Sequence, residues 1–371
     1  MGETGTANAA RGWCAALARE GAQVKLLVDN DLVHLPDPEG VEVVRLHHSG
    51  PSRFRMPTGG RDAIRGADVL VLHGGWNPVN IFVGRLADSV KVPYVVTAHG
   101  VYDPNILQGR RAQLKWLWRT IFEKSHLDRA SCIHLFFDQD RAALSRLKVS
   151  TPSIAVPNGI DFPGHTWDGG SGGYILWLGR YDPHHKGLDL LLEAMATLPE
   201  SERRPLRMHG FDWQGKKKRV EESVDELNLR DWVTVGDPVF GNAKLELLSR
   251  ASGFVYPSRW EACPVSVAEA LALGLPTLVG PYPLGEFVAA RGGAFISDST
   301  PEDIAAGLKK LSSDESSVVA GRGRVVAQQH FEWNAVARQW LDSIAPYAMQ
   351  RSDDRIPASI PSPLGSNRSG P

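Results

Sequence analysis

Cysteine, net charge and long apolar runs are all scarce in this sequence. Its three cysteines, Cys14, Cys132 and Cys263, form no CxxC pair, so we expect neither a disulfide framework nor a structural zinc site. The 41 Lys and Arg residues nearly balance the 42 Asp and Glu residues, which argues against nucleic acid as a partner. Since no apolar run reaches the ~20 residues of a membrane span and the start lacks a signal-peptide core, we expect a cytoplasmic protein.

Short β-rich runs alternate with helix-length segments along most of the 371 residues. The runs AQVKLLVD, ADVLVLHG and VPYVVTAHG are nearly continuous in apolar residues, and GGYILWLGR, PLRMHGF, WVTVGD, SGFVYPS and LPTLVG follow later. Such runs are typical of parallel strands buried on both faces. The alternation predicts a doubly wound α/β fold, and the length predicts two such sheets.

The Gly- and Pro-rich stretch around Asn158-Gly159 marks the expected domain boundary. We predict an N-terminal domain over residues 1–155, a C-terminal domain over 156–330, a helix over 331–348 and a disordered tail over 349–371. The N-terminal domain opens on a glycine-rich loop and a helix, whereas a doubly wound domain usually opens on a central strand. Either the start is truncated or misassigned, or the sheet lacks a central member; we favour truncation.

The stretch WEACPVSVAEALALGLP, residues 260–276, carries the clearest site signal. Pro264 suits the first turn of a helix, and Gly274 marks its end. Because SGFVYPS precedes it as a strand, Glu261 falls in the loop at the carboxyl end of that strand. Open α/β sheets bind their ligands at that edge.

The helix that begins after Pro264 predicts an anion site. Its first backbone N–H groups, around Val265, Ser266 and Val267, lack partners within the helix. Glu269 lies farther along this apolar helix, and its side chain leans back toward the N-terminus. An unpaired buried carboxylate is costly, so sugar or ribose hydroxyls are suitable partners for it.

These residues resemble the E-x7-E signature of the retaining GT-B glycosyltransferases, specifically glycosyltransferase family 4. Further segments match the family in order: GETGT, VPYVVTAHG, VPNGID, GRYDPHHKGLDLLLEA and GFVYPSRWE. The resemblance covers nearly the whole chain up to FEWNAVARQWLDSI. It implies the GT-B fold, in which two Rossmann-like domains face each other across a cleft and the last helix crosses back to the N-terminal domain.

The resemblance also implies roles for individual residues in donor binding. Arg180 and Lys186 of GRYDPHHKG would hold the diphosphate of a sugar nucleotide and stabilise the leaving charge. Glu261 would contact the donor sugar and Glu269 the ribose. The remaining expected donor contacts are Gly5 and Thr6 in the glycine-rich start, Phe211 and Val239 beside the base, and Pro264, Val265 and Ser266 at the helix start.

His99 and His73 each end a predicted strand of the N-terminal domain. The family places the histidine equivalent to His99 beside the donor sugar, which adds it to Arg180, Lys186 and Glu261 as a catalytic residue. A histidine that is only hydrogen-bonded at its strand end is the alternative. The acceptor is expected to face His73, Trp76, Tyr102 and Asp103.

Other features are interpreted as structural. Asp29-Asn30-Asp31 spells the DxD of metal-dependent enzymes of another fold but lacks the rest of that fold. The adjacent His184 and His185 fit a solvated loop better than a metal site, Cys263 reads as a small apolar filler, and KKKR at 216–219 reads as a solvated face. The basic and aromatic segment 109–124, with Arg111, Lys115, Trp116, Arg119, Trp118 and Phe122, suits an outer helix, or a peripheral contact with the inner face of the membrane.

The sequence therefore predicts a retaining, metal-independent glycosyltransferase without a cofactor. Its substrates would be a nucleotide-diphosphate sugar and the hydroxyl of a carbohydrate, lipid-linked or small-molecule acceptor. Two alternatives use the same fold: a catalytically inactive protein that binds nucleotide sugars, and a sugar-nucleotide epimerase.

Overall fold

The computed structural model describes residues 5–29, 37–46, 59–107 and 118–348. The first half of the chain contains helices α1 (Gly5–Arg19), α2 (Gly60–Ile64), α3 (Pro78–Ser89), α4 (Lys124–Arg129) and α5 (Arg141–Arg146). Its strands are β1 (Val24–Asp29), β2 (Val41–Leu46), β3 (Leu70–His73), β4 (Tyr94–Thr97), β5 (Cys132–Leu135) and β6 (Ser153–Ala155). Short 3₁₀ turns at Pro104–Leu107 and Asp138–Asp140 and a π-helical turn at Arg119–Glu123 connect them.

The second half begins its regular structure at residue 175. Its strands are β7 (Ile175–Leu178), β8 (Leu206–His209), β9 (Val233–Gly236), β10 (Gly253–Tyr256), β11 (Thr277–Val279) and β12 (Phe295–Ile296). Its helices are α6 (Pro183–Lys186), α7 (Leu188–Thr197), α8 (Lys217–Glu226), α9 (Gly241–Arg250), α10 (Val265–Leu273), α11 (Pro283–Ala289), α12 (Pro301–Lys310), α13 (Ser316–His330) and α14 (Trp333–Ala348). A 3₁₀ turn lies at Glu200–Glu202.

Strands in each half pair in parallel, which confirms the predicted α/β architecture. In the first half, β1 pairs with β2, while β3, β4, β5 and β6 form a separate sheet in chain order. Among the described strands, none joins these two sheets. The sheet of the second half runs β12-β11-β10-β7-β8-β9, so the strand order reverses between β7 and β10. A reversal of this kind opens a crevice at the carboxyl ends of the two strands, where ligands bind.

The two halves are joined where the chain crosses between them twice. The first crossing runs through Asn158 to Ile160, and the second lies between α13 and α14. The Ile160 N–H donates to the carbonyl of Phe331 at 2.7 Å, so the crossings lie side by side. Helix α14 then packs on α1.

Tryptophans fill the space around these crossings. The Trp13 indole N–H donates to the Asn158 side chain at 2.9 Å, and Trp13 and Trp333 meet edge to face at 5.3 Å. A Cβ at Gly159 would lie 2.2 Å from the Trp333 ring, and one at Gly12 would lie 2.3 Å from it. Glycine at both positions therefore lets the indole pack directly on the backbone.

Several predicted features fall outside the described residues. They are Gly2 to Thr4 of the glycine-rich start, Asn30 and Asp31 of the DxD motif, most of the basic and aromatic segment, including Arg111, Lys115 and Trp116, and the tail 349–371. Within the described ranges, no helix is long and apolar enough to cross a bilayer.

Candidate active site

The loop after β7 brings two cations to the carboxyl end of the sheet. Arg180 follows the strand directly, and Lys186 ends the single turn α6. Gly187 then adopts a left-handed conformation with φ of +64°, and a Cβ there would lie 2.1 Å from the carbonyl of Pro257. Only glycine allows this close approach, which places Lys186 beside the residues that follow β10.

Lys186 and Glu261 form a buried ion pair. The lysine side chain is 8% exposed and that of Glu261 is 12% exposed. The ammonium group also donates to the Tyr256 hydroxyl at 3.0 Å. Burial alone would raise the pKa of Glu261, but the positive charge of Lys186 and its hydrogen bond hold that pKa below its usual value. Burial would likewise lower the pKa of Lys186, and the charge of Glu261 raises it instead. Both groups are therefore charged at neutral pH.

His185 lies between Arg180 and the loop that carries Glu261. Its Nδ1 is 3.0 Å from Nη2 of Arg180, and its Nε2 is 2.8 Å from the carbonyl of Trp260. The ring stacks on the Trp260 indole with 4.5 Å between centroids. His184 is exposed as expected of a solvated loop, but that expectation is wrong for His185, whose side chain is only 13% exposed. The sequence does not distinguish the two because burial here depends on a loop 75 positions away.

Glu269 faces a partner that the sequence did not suggest. Its carboxylate accepts from Lys244 of α9 at 2.5 Å, and the two side chains are 25% and 33% exposed. At the start of the same helix, Pro264 is the cap residue, and Val265 and Ser266 lie in the first turn. The N–H of Val267 already donates to the carbonyl of Pro264 at 3.1 Å. Val267 is therefore not a free donor, and the predicted anion site is reduced to the first two N–H groups.

Aromatic side chains border the ends of β8 and β9. Phe211 is 37% exposed and packs against Phe240, which is 55% exposed, with 5.6 Å between ring centroids. Val239 lies next to Phe240 in sequence and is partly buried. The Arg180 guanidinium lies over the Trp213 ring, 4.8 Å from its centroid. Exposed rings at the carboxyl edge of a sheet offer stacking surfaces for a planar ligand.

On the opposite side of the cleft, His99 and His73 form a hydrogen-bonded pair. His99 Nε2 is 2.9 Å from His73 Nδ1, and the φ of His99 is +50°. Burial lowers the pKa of His73 to about 4, and burial together with the nearby His73 and His134 lowers that of His99. Both rings are thus neutral at pH 7. A non-glycine residue with positive φ is uncommon outside functional sites and turns.

Trp76 and Tyr102 are tied to a buried carboxylate. Glu123 is 1% exposed and accepts from the Trp76 backbone N–H at 3.0 Å and from the Tyr102 hydroxyl at 2.7 Å. The Trp118 indole N–H lies 3.3 Å from its other oxygen. Three donors satisfy this carboxylate, which has to be compensated when buried. Glu123 thus fixes the loop after β3 against the loop after β4.

A cavity of about 170 Å³ opens between the two halves. Its walls include His99, Tyr102, Asp103 and Asp140 from the first half and Glu261 from the second. Burial raises the pKa of Asp140 to about 6, with a smaller contribution from the charge of Asp103.

Two of the predicted acceptor residues, His73 and Trp76, do not line this cavity. His73 is hydrogen-bonded to His99, which does line the cavity, and the Trp76 indole N–H donates to the carbonyl of Val101 at 2.8 Å. Whether these two residues contact an acceptor stays a prediction.

The remaining predictions concern the start of α1 and the thiol of Cys263. Gly5 and Thr6 begin α1 and are exposed. Burial raises the pKa of the Cys263 thiol to about 12, so it remains protonated and fills space. Within the described residues, no group of three or more His, Cys, Asp or Glu side chains is arranged to hold a metal ion.

Sequence reasoning missed five residues of this region: His185, Lys244, Tyr256, Glu123 and Asp140. Tyr256 had a usable signal, because it lies in the predicted strand SGFVYPS. Glu123 and Asp140 had none, since each lies in a short irregular turn.

Two family models cover most of the chain. Residues 4–159 match "Glycosyl transferase 4-like domain", and residues 170–322 match "Glycosyl transferases group 1". The GDP-mannose:cellobiosyl-diphosphopolyprenol alpha-mannosyltransferase of Xanthomonas campestris is 26% identical over 66% of this chain and 64% of its own length. The protein of the same name from Xanthomonas oryzae pv. oryzae (strain PXO99A) is 24% identical over 82% and 80%. This chain thus spans less than two thirds of the first relative and four fifths of the second.

The fold has solved counterparts. Sucrose-phosphate synthase from Thermosynechococcus elongatus superimposes with a TM-score of 0.75 over 92% of this chain and 93% of its own, at 20% identity. That likeness confirms the predicted GT-B fold. The two family models, which together match residues 4–159 and 170–322, show that the chain belongs to the group 1 glycosyl transferases.

Proposed function

We propose that this chain transfers a sugar, with retention of configuration, from a nucleotide-diphosphate sugar to a hydroxyl group of a carbohydrate or lipid-linked acceptor. The supporting observation is the placement of Arg180, Lys186 and Glu261 at the strand reversal of the second sheet, with Glu261 also lining the cavity between the halves. Cations at this edge suit a diphosphate, and a carboxylate beside the cavity suits sugar hydroxyls.

Arg180 and Lys186 would bind the donor diphosphate. Within the part of the chain that the structure describes, the buried Nε–H of Arg180 has no hydrogen-bond acceptor. A phosphate oxygen of the donor would accept a hydrogen bond from it. The N–H groups of Val265 and Ser266 add donors at the start of α10. Fixed positive charge at a leaving group is among the largest contributions to catalysis. These residues can compensate the developing negative charge themselves, so the proposal requires no metal ion.

The reaction would break the bond between the anomeric carbon and the diphosphate oxygen. The acceptor oxygen would form the new bond on the same face, and its proton would pass to the departing diphosphate. Glu261 would accept hydrogen bonds from donor-sugar hydroxyls while it holds Lys186, and the neutral His99 would face the sugar from the other half. Each residue thereby acts on the donor without forming a covalent bond to it.

GDP-mannose is the donor we favour. Both relatives described above are named for GDP-mannose. Phe211 and Phe240 would stack on the base, with Val239 beside them, and Glu269 would accept from the ribose hydroxyls while Lys244 neutralises its charge. A purine offers more surface to a pair of exposed rings than a pyrimidine does.

The acceptor would enter the cavity beside Asp103 and Asp140. Carboxylates that face a cavity accept hydrogen bonds from sugar hydroxyls, and Tyr102 supplies an apolar wall. Since the relatives are named for a diphosphopolyprenol-linked disaccharide, we propose the sugar end of a lipid-linked saccharide as the acceptor.

The first experiment is a thermal-shift titration in EDTA against GDP, UDP, ADP, dTDP and CMP, followed by transfer assays with the matching sugar nucleotides. A ligand at a hundred times its Kd stabilises by about 2.7 kcal/mol. We expect stabilisation by GDP and transfer from GDP-mannose, with the anomeric configuration of the product read by NMR. Nucleotide binding without transfer would indicate an inactive binding protein, and sugar isomerisation without an acceptor would indicate an epimerase. A requirement for metal would overturn the metal-independent form of the proposal.

A further inference from the structure

His185 makes a different kind of contact through each of its ring nitrogens. Nδ1 lies 3.0 Å from Nη2 of Arg180, and Nε2 lies 2.8 Å from the carbonyl oxygen of Trp260. A guanidinium can only donate a hydrogen bond, and a carbonyl can only accept one. Nδ1 must therefore be unprotonated and Nε2 must carry the hydrogen. Both contacts require the same neutral tautomer.

The ring is also fixed in orientation. It stacks on the Trp260 indole with an interplanar angle of 8°, and its Nε2 lies 3.4 Å from the Glu261 carboxylate. Rotating the ring by 180° about the Cβ–Cγ bond would place Cδ2 against the Arg180 guanidinium and Cε1 against the Trp260 carbonyl, so both hydrogen bonds would be lost. His185 therefore has one orientation and one protonation state that satisfy all of its neighbours.

We propose that His185 is a positioning residue, which acts as a neutral, singly oriented hydrogen-bond acceptor that holds the Arg180 guanidinium at the diphosphate site beside Lys186. This inference rests on the proposed function for the role of Arg180, whereas the tautomer and the contact with Arg180 are independent of any substrate. A carboxylate in place of His185 would neutralise Arg180, and a third cation would repel it. The neutral imidazole fixes the guanidinium and leaves its charge available to the ligand.

Burial, more than the surrounding charges, keeps the His185 ring neutral. Arg180 and Lys186 oppose a proton, whereas Glu261 and Asp182, whose Oδ2 lies 4.0 Å from Nδ1, favour one. Arg259 donates to the Asp189 carboxylate through both of its terminal guanidinium nitrogens. Burial is the largest effect and lowers the pKa of His185 to about 4. The contact with Arg180 is thereby preserved throughout the neutral range.

The first test is NMR of the full chain with ¹⁵N-labelled histidine, with the His185 signals assigned by their loss in His185→Asn. We expect the chemical shifts of a neutral Nε2–H ring from pH 8 down to pH 5. An Nδ1–H tautomer or an imidazolium at pH 7 would overturn the proposal. Because this measurement needs no substrate, it decides the proposal even if no sugar donor is turned over, an outcome that would count against the proposed function alone.

The second test compares two substitutions at this position. His185→Asn keeps an acceptor close to the place of Nδ1, whereas His185→Phe keeps the stacking on Trp260 and removes the acceptor. Displacement of a group that positions a substrate costs about a hundredfold in rate, so we expect kcat to fall about that much in His185→Phe, with a smaller change in the Kd for GDP. His185→Asn should recover about tenfold of this loss.

The exposed neighbour provides the control. His184→Asn should leave kcat and the melting temperature unchanged, because the His184 ring has only an edge contact with Trp260 at 5.7 Å between centroids. Equal loss of kcat in His185→Asn and His185→Phe would contradict a role as acceptor. If His185→Phe does not fold, as melting and circular dichroism would reveal, the NMR result and the kcat of His185→Asn decide the proposal.

Discussion

The ammonium group of Lys186 and the carboxylate of Glu261 are paired in the interior, although the two residues are 75 positions apart in sequence. The first belongs to the loop after β7 and the second to the loop after β10, the two strands between which the strand order reverses. The pair thus joins the loops on either side of the ligand crevice. Two opposite charges are kept buried there because each compensates the other.

Breaking this pair should destabilise the protein more than removing it altogether. Lys186→Met and Glu261→Gln each leave one buried group without its partner, and we expect a loss of about 3–5 kcal/mol from each. The double variant should recover part of this loss, whereas all three should lose sugar transfer. A double-mutant cycle by urea unfolding measures the coupling. Additive losses would show that the pair contributes no coupling energy.

The same pair sets a limit on acid stability. The pKa of Glu261 is held below its ordinary value of 4.5, so its stabilising contribution is present above pH 4.5 and is lost as the pH falls through its pKa in the folded protein.

Glu269→Gln should weaken nucleotide binding with little effect on folding. Hydrogen bonds to charged groups contribute about 1.5–3 kcal/mol, so the Kd for the preferred diphosphate should rise roughly ten- to a hundredfold. The partly exposed pair with Lys244 contributes at most about 1 kcal/mol to stability. Isothermal titration and thermal melting separate the two effects. Glu246→Gln, on the exposed face of α9, is the matched control, and equal binding by both variants would remove Glu269 from the donor site.

Asp140→Asn should stabilise the protein and weaken acceptor binding. A carboxyl group whose pKa is raised to about 6 destabilises the folded state once it ionises, and this cost develops as the pH rises from the unfolded value toward and above 6. We therefore expect a gain on the order of 3 kcal/mol at pH 8 and little change below pH 4. The KM for the acceptor should rise while that for the donor stays the same. A melting temperature unchanged at pH 8, with unchanged acceptor KM, would contradict both roles.

Buried histidines should make the protein lose stability at a pH well above the pH range in which carboxylates become protonated. Burial lowers the pKa of His73, His126 and His185 to about 4 and that of His134 to about 3. The unfolded chain takes up these protons first, so stability is full above pH 6.5 and is lost as the pH falls toward 4.

Each such histidine contributes a slope of about 1.4 kcal/mol per pH unit in that window. The unfolding free energy should therefore fall by several kcal/mol between pH 6.5 and pH 5. His126→Asn lies outside the proposed site and should reduce the slope by one histidine's share. An unchanged slope in that variant would mean that His126 titrates normally in the folded protein.

Gly159→Ala should destabilise the junction of the two halves. The new methyl group would overlap the Trp333 ring, whose nearest atom lies 2.2 Å from the position of that carbon, and overpacking of this kind costs about 1–3 kcal/mol. Gly321→Ala is the matched control, because nothing lies within 4 Å of the added carbon in the middle of α13. There, alanine should stabilise by up to about 1 kcal/mol. A stable Gly159→Ala would show that Trp333 is free to move aside.

The fold was readable from the sequence at most strands where burial produces a continuous apolar run, although β5, also buried at every residue, was not among the predicted runs. β4, β7 and β10 are buried at every residue, and all three were predicted. β6 and β12, with three and two residues and partial exposure, carry too little pattern to be recognised.

Only part of the candidate site, chiefly the residues that lie next to a recognisable strand, could be proposed from the sequence. Arg180, Lys186 and Glu261 could be proposed from the sequence because their loops follow recognisable strands. His185 and Lys244 owe their significance to partners that only the folded chain brings near. The hydrogen bond between His99 and His73 likewise joins the ends of two strands that only the folded sheet brings together.

The hydrogen bond from Ile160 to Phe331 has a mechanical consequence. The two chain crossings between the halves run next to each other and are joined by this bond. Sliding one half past the other would therefore strain both crossings and break the bond. Rotation about an axis through the hydrogen bond leaves both crossings intact. Such a rotation would change the distance between His99 in the first half and Glu261 in the second, which line the same cavity.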